Sequence, residues 1–178
     1  GQTSGVVMPF LNGVNVIFDD TASGGTVSIA ADMSPLSTTV SNRDYTFSGG
    51  PLAGTGTLTK DGSGTLKIDG LLSGTDTVVS NTYSGGTIMN SGTLWLGAMY
   101  AGISPDIAGT VGTGPVTLNG GTIEFDRVTE TNALIVNGGT RYSQNGWGVT
   151  WSGPITLNAT LTSQTQYGMT YNGAISGN

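Results

Sequence analysis

Apolar residues recur two positions apart along much of the chain, with one polar or outward residue inside each pair. The pairs are Val27 and Ile29, Leu66 and Ile68, Leu94 and Leu96, Val116 and Leu118, Ile123 and Phe125, and Ile155 and Leu157. This alternation is typical of a strand with one face on a core. No long window carries apolar residues at helical spacing, and glycine or proline interrupts most stretches. The pattern predicts an all-β fold of many short strands.

Similar glycine-rich corners follow several of these strands. Asn-Ser-Gly-Thr at 90–93 and Asn-Gly-Gly-Thr at 119–122 and 137–140 are alike, and Ser-Gly-Gly-Thr at 23–26 and 84–87 are variants. Asn and Gly tolerate the positive φ that such corners demand. Spacings of 28, 29 and 18 residues separate four strand-opening threonines: Thr65, Thr93, Thr122 and Thr140. Units of this size cannot bury a core alone, so the spacing predicts a solenoid and not a hairpin sandwich.

The composition narrows the function classes. Hydrophobic residues are 36% of the 178 residues, which fits one folded segment over residues 1–178 and not a disordered chain. The net charge is −6 and the five Lys and Arg are scattered, so no nucleic-acid partner is expected. The absence of Cys and His excludes zinc sites made from them, thiol nucleophiles and Ser-His-Asp triads. We predict no cofactor, no metal and no transmembrane segment.

Two segments resemble a known bacterial repeat. GTLTKDGSGTLKIDG (56–70) and NTYSGGTIMNSGTLWLG (81–97) are similar to the autotransporter-associated β-strand repeat, also called the passenger-associated transport repeat. The best-matching repeat spans 55–97, with residues 71–80 inserted where the family has only a residue or two. The resemblance implies a right-handed parallel β-helix (β-solenoid) in a bacterial extracellular or cell-surface protein. It implies no catalytic residue.

Acidic pairs are the first candidates for chemistry. Glu124 and Asp126 lie two apart on a predicted strand and are expected to point outward, with Arg127 and Glu130 nearby. Polysaccharide-cleaving β-helices use such pairs, whereas the simpler interpretation is a solvated strand face with a local ion pair. The Asp19-Asp20 pair leaves the same alternatives. The Asp61-Gly62-Ser63-Gly64 segment favours a turn over a calcium loop, since it lacks the spacing of known calcium motifs.

Aromatic and threonine residues suggest two kinds of binding surface. Rings exposed on a ladder of strands would stack on sugars, so the candidate glycan contacts are Trp95, Tyr142, Trp147 and Trp151. The alternative is that these rings pack over one another across coils. Thr-x-Thr at 57–59, 75–77 and 160–162 has the form used by ice-binding solenoids. It does not recur at matching outward sites, so threonine is better interpreted as a strand former.

These observations favour a structural function. We expect a non-catalytic module of an extracellular surface protein or fibre with an adhesin-like role. Parallel coils leave unpaired backbone groups at both ends, so the ends are expected to join other copies into filaments or to continue into a longer repeat chain. The alternative is a carbohydrate-binding or polysaccharide-degrading β-helix domain.

Overall fold

The computed structural model describes residues 11–29, 33–69, 77–97, 107–108, 110–143, 149–166 and 168–177. Over these residues the chain forms short strands and no helix, so none of them lies in a helix that could span a membrane. The strands in chain order are β1 (Asn15–Phe18), β2 (Gly25–Ile29), β3 (Ser37–Val40), β4 (Tyr45–Gly49), β5 (Thr57–Lys60), β6 (Thr65–Asp69), β7 (Thr87–Met89), β8 (Thr93–Gly97), β9 (Ile107–Ala108), β10 (Val116–Leu118), β11 (Thr122–Asp126), β12 (Val128–Glu130), β13 (Leu134–Val136), β14 (Thr140–Ser143), β15 (Val149–Trp151), β16 (Ile155–Leu157), β17 (Thr162–Thr165), β18 (Met169–Tyr171) and β19 (Ile175–Gly177).

The strands form three parallel sheets that the chain visits in turn. An eight-stranded sheet has the order β1-β3-β5-β7-β10-β13-β16-β19, and a seven-stranded sheet has the order β17-β14-β11-β8-β6-β4-β2. A four-stranded sheet, β18-β15-β12-β9, forms the third side, and the Met33–Leu52 bridge is a parallel contact outside these strands. Each inner coil therefore pairs with the coil before it and the coil after it. The predicted parallel β-helix is confirmed, and its right-handed winding stays a prediction.

The pairing register confirms the repeat spacing. Thr65 pairs with Thr93, Thr93 with Thr122, and Thr122 with Thr140, so the intervals of 28, 29 and 18 residues are successive coils. Of the two Ser-Gly-Gly-Thr variants, 23–26 leads into β2 of the same seven-stranded sheet, whereas 84–87 lies on another side of the coil, so the predicted likeness is wrong for 84–87. Thr87 opens β7 in the eight-stranded sheet, whereas Thr93 opens β8 in the seven-stranded sheet. Similar corner sequences thus serve different sides of the coil.

At the Asn-Ser-Gly-Thr and Asn-Gly-Gly-Thr corners, positive φ belongs to glycine. Gly92, Gly121 and Gly139 have φ of 73°, 73° and 96°, while no Asn among the described residues has positive φ. A Cβ on Gly121 would also lie 2.6 Å from the Gly92 carbonyl oxygen of the coil below. Glycine is required here by both conformation and close stacking. The asparagines at these corners have a different function.

The inner stack of side chains is the core. All twelve residues of the alternating pairs lie in the core or pack against it, as predicted. Of the predicted insertion 71–80, residues 71–76 lie outside the described part of the chain. Its described end includes Val78, which is 37% exposed. The coil that contains the insertion runs from Leu58 to Thr87, nine residues longer than the 20-residue coil from Ser37 to Thr57.

Truncation of one core leucine tests the inner stack. Leu94 is fully buried and Leu36 is 57% exposed. We expect Leu94→Ala to lower the free energy of unfolding by about 2–5 kcal/mol, because it removes buried methyl groups and leaves a cavity. Leu36→Ala is the matched control and should change it by less than about 0.5 kcal/mol. Urea unfolding followed by circular dichroism measures both, and equal effects would contradict the assigned core.

Candidate functional site

Trp151 is a core residue and not an exposed sugar platform. Its side chain is fully buried, its indole N–H donates to the Asn132 carbonyl at 2.9 Å, and its ring meets Phe125 edge-on at 5.9 Å. Trp151 shares a side of β15 with buried Val149, so alternation turns it inward. The expectation that Trp151 offers an open face to a glycan is therefore wrong. Packing, the alternative for this ring, is confirmed.

Of the other three aromatic candidates, two lie in the seven-stranded sheet and the third lies in a part of the chain that the structure does not describe. Trp95 pairs with Glu124, and Glu124 pairs with Tyr142, so the three lie on adjacent strands of the seven-stranded sheet. Trp95 is only 8% exposed, although its ring is not part of the inner hydrophobic core. Trp147 lies outside the described residues. Glycan contact at Trp95, Tyr142 and Trp147 stays a prediction, with little of Trp95 open to solvent.

The two acidic candidates do not form a solvent-exposed pair. Glu124 is half-buried, whereas Asp126 is 3% exposed and its Oδ1 lies 3.5 Å from Arg127 Nε. The register keeps Asp126 on the Glu124 side of β11, but its side chain is covered, so the expected solvated carboxylate at this position is wrong. Glu130 is buried and accepts hydrogen bonds from the backbone N–H and hydroxyl of Thr110. Among the described residues, no group of three or more acidic side chains could hold a metal ion.

Arg141 is a buried cation in a box of aromatic rings. It pairs with Ile123 and so occupies an inner position of the core. Its Cζ lies 4.5 Å from the centre of the Trp151 ring, 4.9 Å from that of Tyr171 and 5.0 Å from that of Phe125. None of its guanidinium nitrogens has a hydrogen-bond partner among the described residues. Burial lowers the pKa of Arg141 to about 10, and it remains charged at neutral pH.

A second buried cation is satisfied by backbone oxygens. Lys60 occupies an inner position between Val40 and Met89, and it is fully buried. Its Nζ donates to the carbonyls of Ser41, Asp61 and Gly62 at the adjoining corner. Burial lowers the pKa of Lys60, and the nearby Asp61 and Asp44 oppose this shift. Lys60 thus holds the corner together and is not free for catalysis.

The corner asparagines form a ladder along the solenoid. Each side-chain amide donates to the oxygen one coil below, at 2.7–2.9 Å, in the order Asn158, Asn137, Asn119, Asn90 and Asp61. The carboxylate of Asp61 only accepts, so it fixes the direction in which all the amides point. The same residues at the same corners suggested only turn formation in the sequence. Their recurrence at matching corners was the signal for a ladder.

An apolar recess opens in the last coil. It has a volume of about 330 Å³ and is lined chiefly by Ile155, Leu157, Leu161, Tyr171 and Ile175. Across it the hydroxyls of Ser163 and Tyr171 are 2.7 Å apart. The lining comes from β16, β18 and β19 and the residues around β17. The recess is therefore a gap in the core at one end of the coil stack.

Comparison with known proteins finds no family model, no curated protein and no solved structure that matches this chain. The resemblance of residues 56–70 and 81–97 to the autotransporter-associated repeat stays a prediction. The geometry of the described residues is therefore the basis for function. Its most distinctive features are the buried cations, the asparagine ladder and the recess.

The ladder predicts a pH-dependent defect. Asn90→Asp places a carboxylate against that of Asp61, so we expect the free energy of unfolding to fall by about 1–2 kcal/mol at neutral pH. Protonation relieves this repulsion in the folded state, so the loss shrinks as the pH falls below about 5. Asn12→Asp is the control, since Asn12 Oδ1 only accepts, from the Ser34 N–H. A loss in Asn90→Asp that does not vary with pH would contradict the ladder's direction.

Removing the buried guanidinium tests the aromatic box. We expect Arg141→Met to raise the free energy of unfolding by about 1–3 kcal/mol, because methionine fills similar space without a desolvated charge. Arg43→Met removes an exposed charge and should change it by less than about 0.5 kcal/mol. Thermal and urea unfolding measure both variants. A clear loss of stability in Arg141→Met would show that the three rings more than offset the cost of burying the charge.

Proposed function

We propose that this chain is a non-catalytic structural module of a bacterial extracellular surface protein or fibre, with an adhesin-like role, and that its solenoid is extended end to end. The observation that carries this proposal is that the terminal strands pair with a described strand on one side only. Strands β1 and β2 at one end and β17, β18 and β19 at the other have a described neighbour on one side only. No strand of the described chain pairs with their outer backbone groups, which supports the addition of another strand there.

The described residues of these terminal strands carry none of the charges or prolines that protect natural edges. Natural edge strands carry Lys, Pro or other charged residues, or bulges, that discourage another chain from joining. The end strands read NVIF, GTVSI, TSQT, MTY and ISG, with no charged residue and no proline. Strands that avoid addition are not built in this way. The ends therefore suit a function in which another strand is added.

The lateral surface and core support a structural role rather than catalysis. Asp126 and Glu130 are buried with local partners, and Lys60 bonds backbone carbonyls. Glycoside hydrolysis needs two carboxylates about 5–10 Å apart that both reach the substrate. Burial of Trp151 also removes one sugar platform from the carbohydrate-binding alternative. The extracellular bacterial location comes from the resemblance of residues 56–70 and 81–97.

Association of the purified 178-residue chain tests the proposal. We expect sedimentation velocity to show species that grow with protein concentration, and electron micrographs to show elongated particles one solenoid wide. Growth should persist in high salt, because uncharged strands make the joins. Uniform compact monomers at every concentration would contradict end-to-end extension.

A further inference from the structure

The terminal strands at both ends of the solenoid carry no charged side chain, although the chain is acidic and Asp19 and Asp20 directly follow β1. All the charged side chains lie between Asp19 and Arg141, and the net charge is −6. The described part of the last coil, 149–166 and 168–177, has no charged side chain, and neither has β1. Copies that approach side by side bring like net charges together, whereas contact through the uncharged last coil sets the two acids of the first coil against no other charge.

The inner columns differ in size at their two ends. The column that begins at Phe18 continues through Val40, Lys60, Met89, Leu118, Val136 and Leu157 and finishes at Gly177. Phe18 is half-buried, with its ring 5.3 Å from that of Tyr45 and 5.1 Å from that of Phe47. Gly177 has no side chain and follows Leu157, which lines the apolar recess. One end therefore has a bulky ring and the other has a space beside a glycine.

We propose that a second copy of this chain docks on the last coil with its β1 paired in parallel to β19, so that its Phe18 follows Gly177 and enters the recess. The same register places its Val16 after Ile175, which is 58% exposed in the single chain. Both contacts bury apolar surface at the end of a core column. This proposal rests on the proposed end-to-end extension and specifies the join.

A second copy fits the recess better than a small apolar ligand. The recess is bordered by β18 and β19, whose outer backbone groups have no partner among the described residues. A small molecule fills the space but leaves these N–H and C=O groups unpaired, while a strand of a second copy satisfies them. The parallel direction follows because every sheet of the solenoid is parallel.

The proposed β1–β19 pairing determines the axial repeat of the filament. The eight-stranded sheet contributes eight rungs per copy, and rungs about 4.8 Å apart give an axial repeat of roughly 38 Å. We expect this repeat in layer lines from electron micrographs of the filaments. Filaments whose repeat is longer by one rung or more would overturn direct β1–β19 pairing, although end-to-end extension itself would stand.

Cysteine cross-linking tests the register directly, since the chain has no native cysteine. Val16→Cys with Ile175→Cys should give disulfide-linked multimers on a non-reducing gel. Within one chain these positions are seven rungs apart, roughly 34 Å, which is beyond the reach of a disulfide. Val16→Cys with Ser176→Cys is the control, because a one-residue shift turns the side chain to the opposite face. The register would be overturned if filaments of the Val16→Cys, Ile175→Cys variant formed no cross-link. It would also be overturned if the Ser176→Cys control cross-linked equally well.

A charge at the join tests the contact without cysteines. We expect Ile175→Asp to raise the concentration needed for association about tenfold or more, because the join buries an unpaired carboxylate. Leu36→Asp is the matched control, since Leu36 is 57% exposed and Ile175 is 58% exposed, and it should have no effect. Circular dichroism should show both variants folded. Equal association of the two variants would overturn this join, whereas monomeric wild-type chain would instead remove the proposed function.

Discussion

Parallel backbone pairing between successive coils is the interaction on which the rest of the structure depends. One coil of 18 to 29 residues contributes only one or two inward side chains from each strand, which is too few to exclude water. Pairing places the next coil about 4.8 Å away, and the inward side chains of many coils then form one continuous core. Glycine corners are needed for the same reason, because a Cβ at Gly121 would meet the carbonyl of the coil below.

Polar groups inside such a stack must be satisfied by neighbouring coils. The asparagine ladder repeats one donor and one acceptor per coil, so each member satisfies its neighbour and only the terminal member differs. Lys60 uses three carbonyls of the adjoining corner in place of a carboxylate. Arg141 has aromatic faces in place of hydrogen-bond acceptors. Both cations lie where the repeat register places an inward side chain.

The sequence predicted the parts of this fold that depend on local pattern. Alternation identified inward pairs such as Leu94 and Leu96, and threonine spacing identified the coils. The candidate site was predicted poorly, because it depends on which residues become neighbours across coils. The equivalence of Thr122 and Thr140 already placed Arg141 beside Ile123, and this was the available signal that Arg141 is buried. The burial of Asp126 was not predicted, because alternation gives the side of the strand on which a residue lies and not what covers that side.

The two ends of the solenoid differ, and this difference determines the kind of assembly that it can form. Aromatic side chains crowd the first coils, at Phe18, Tyr45 and Phe47, whereas the last coil has Gly177 and Ser163 at inner positions. Two bulky ends cannot interdigitate, and two open ends leave their recesses unfilled, so neither joins favourably to its like. Only head-to-tail contact matches a ring with a space and keeps all strands parallel. Such a contact is heterologous, and along a straight stack it does not close into a ring. It therefore leads to an open filament and not to a dimer.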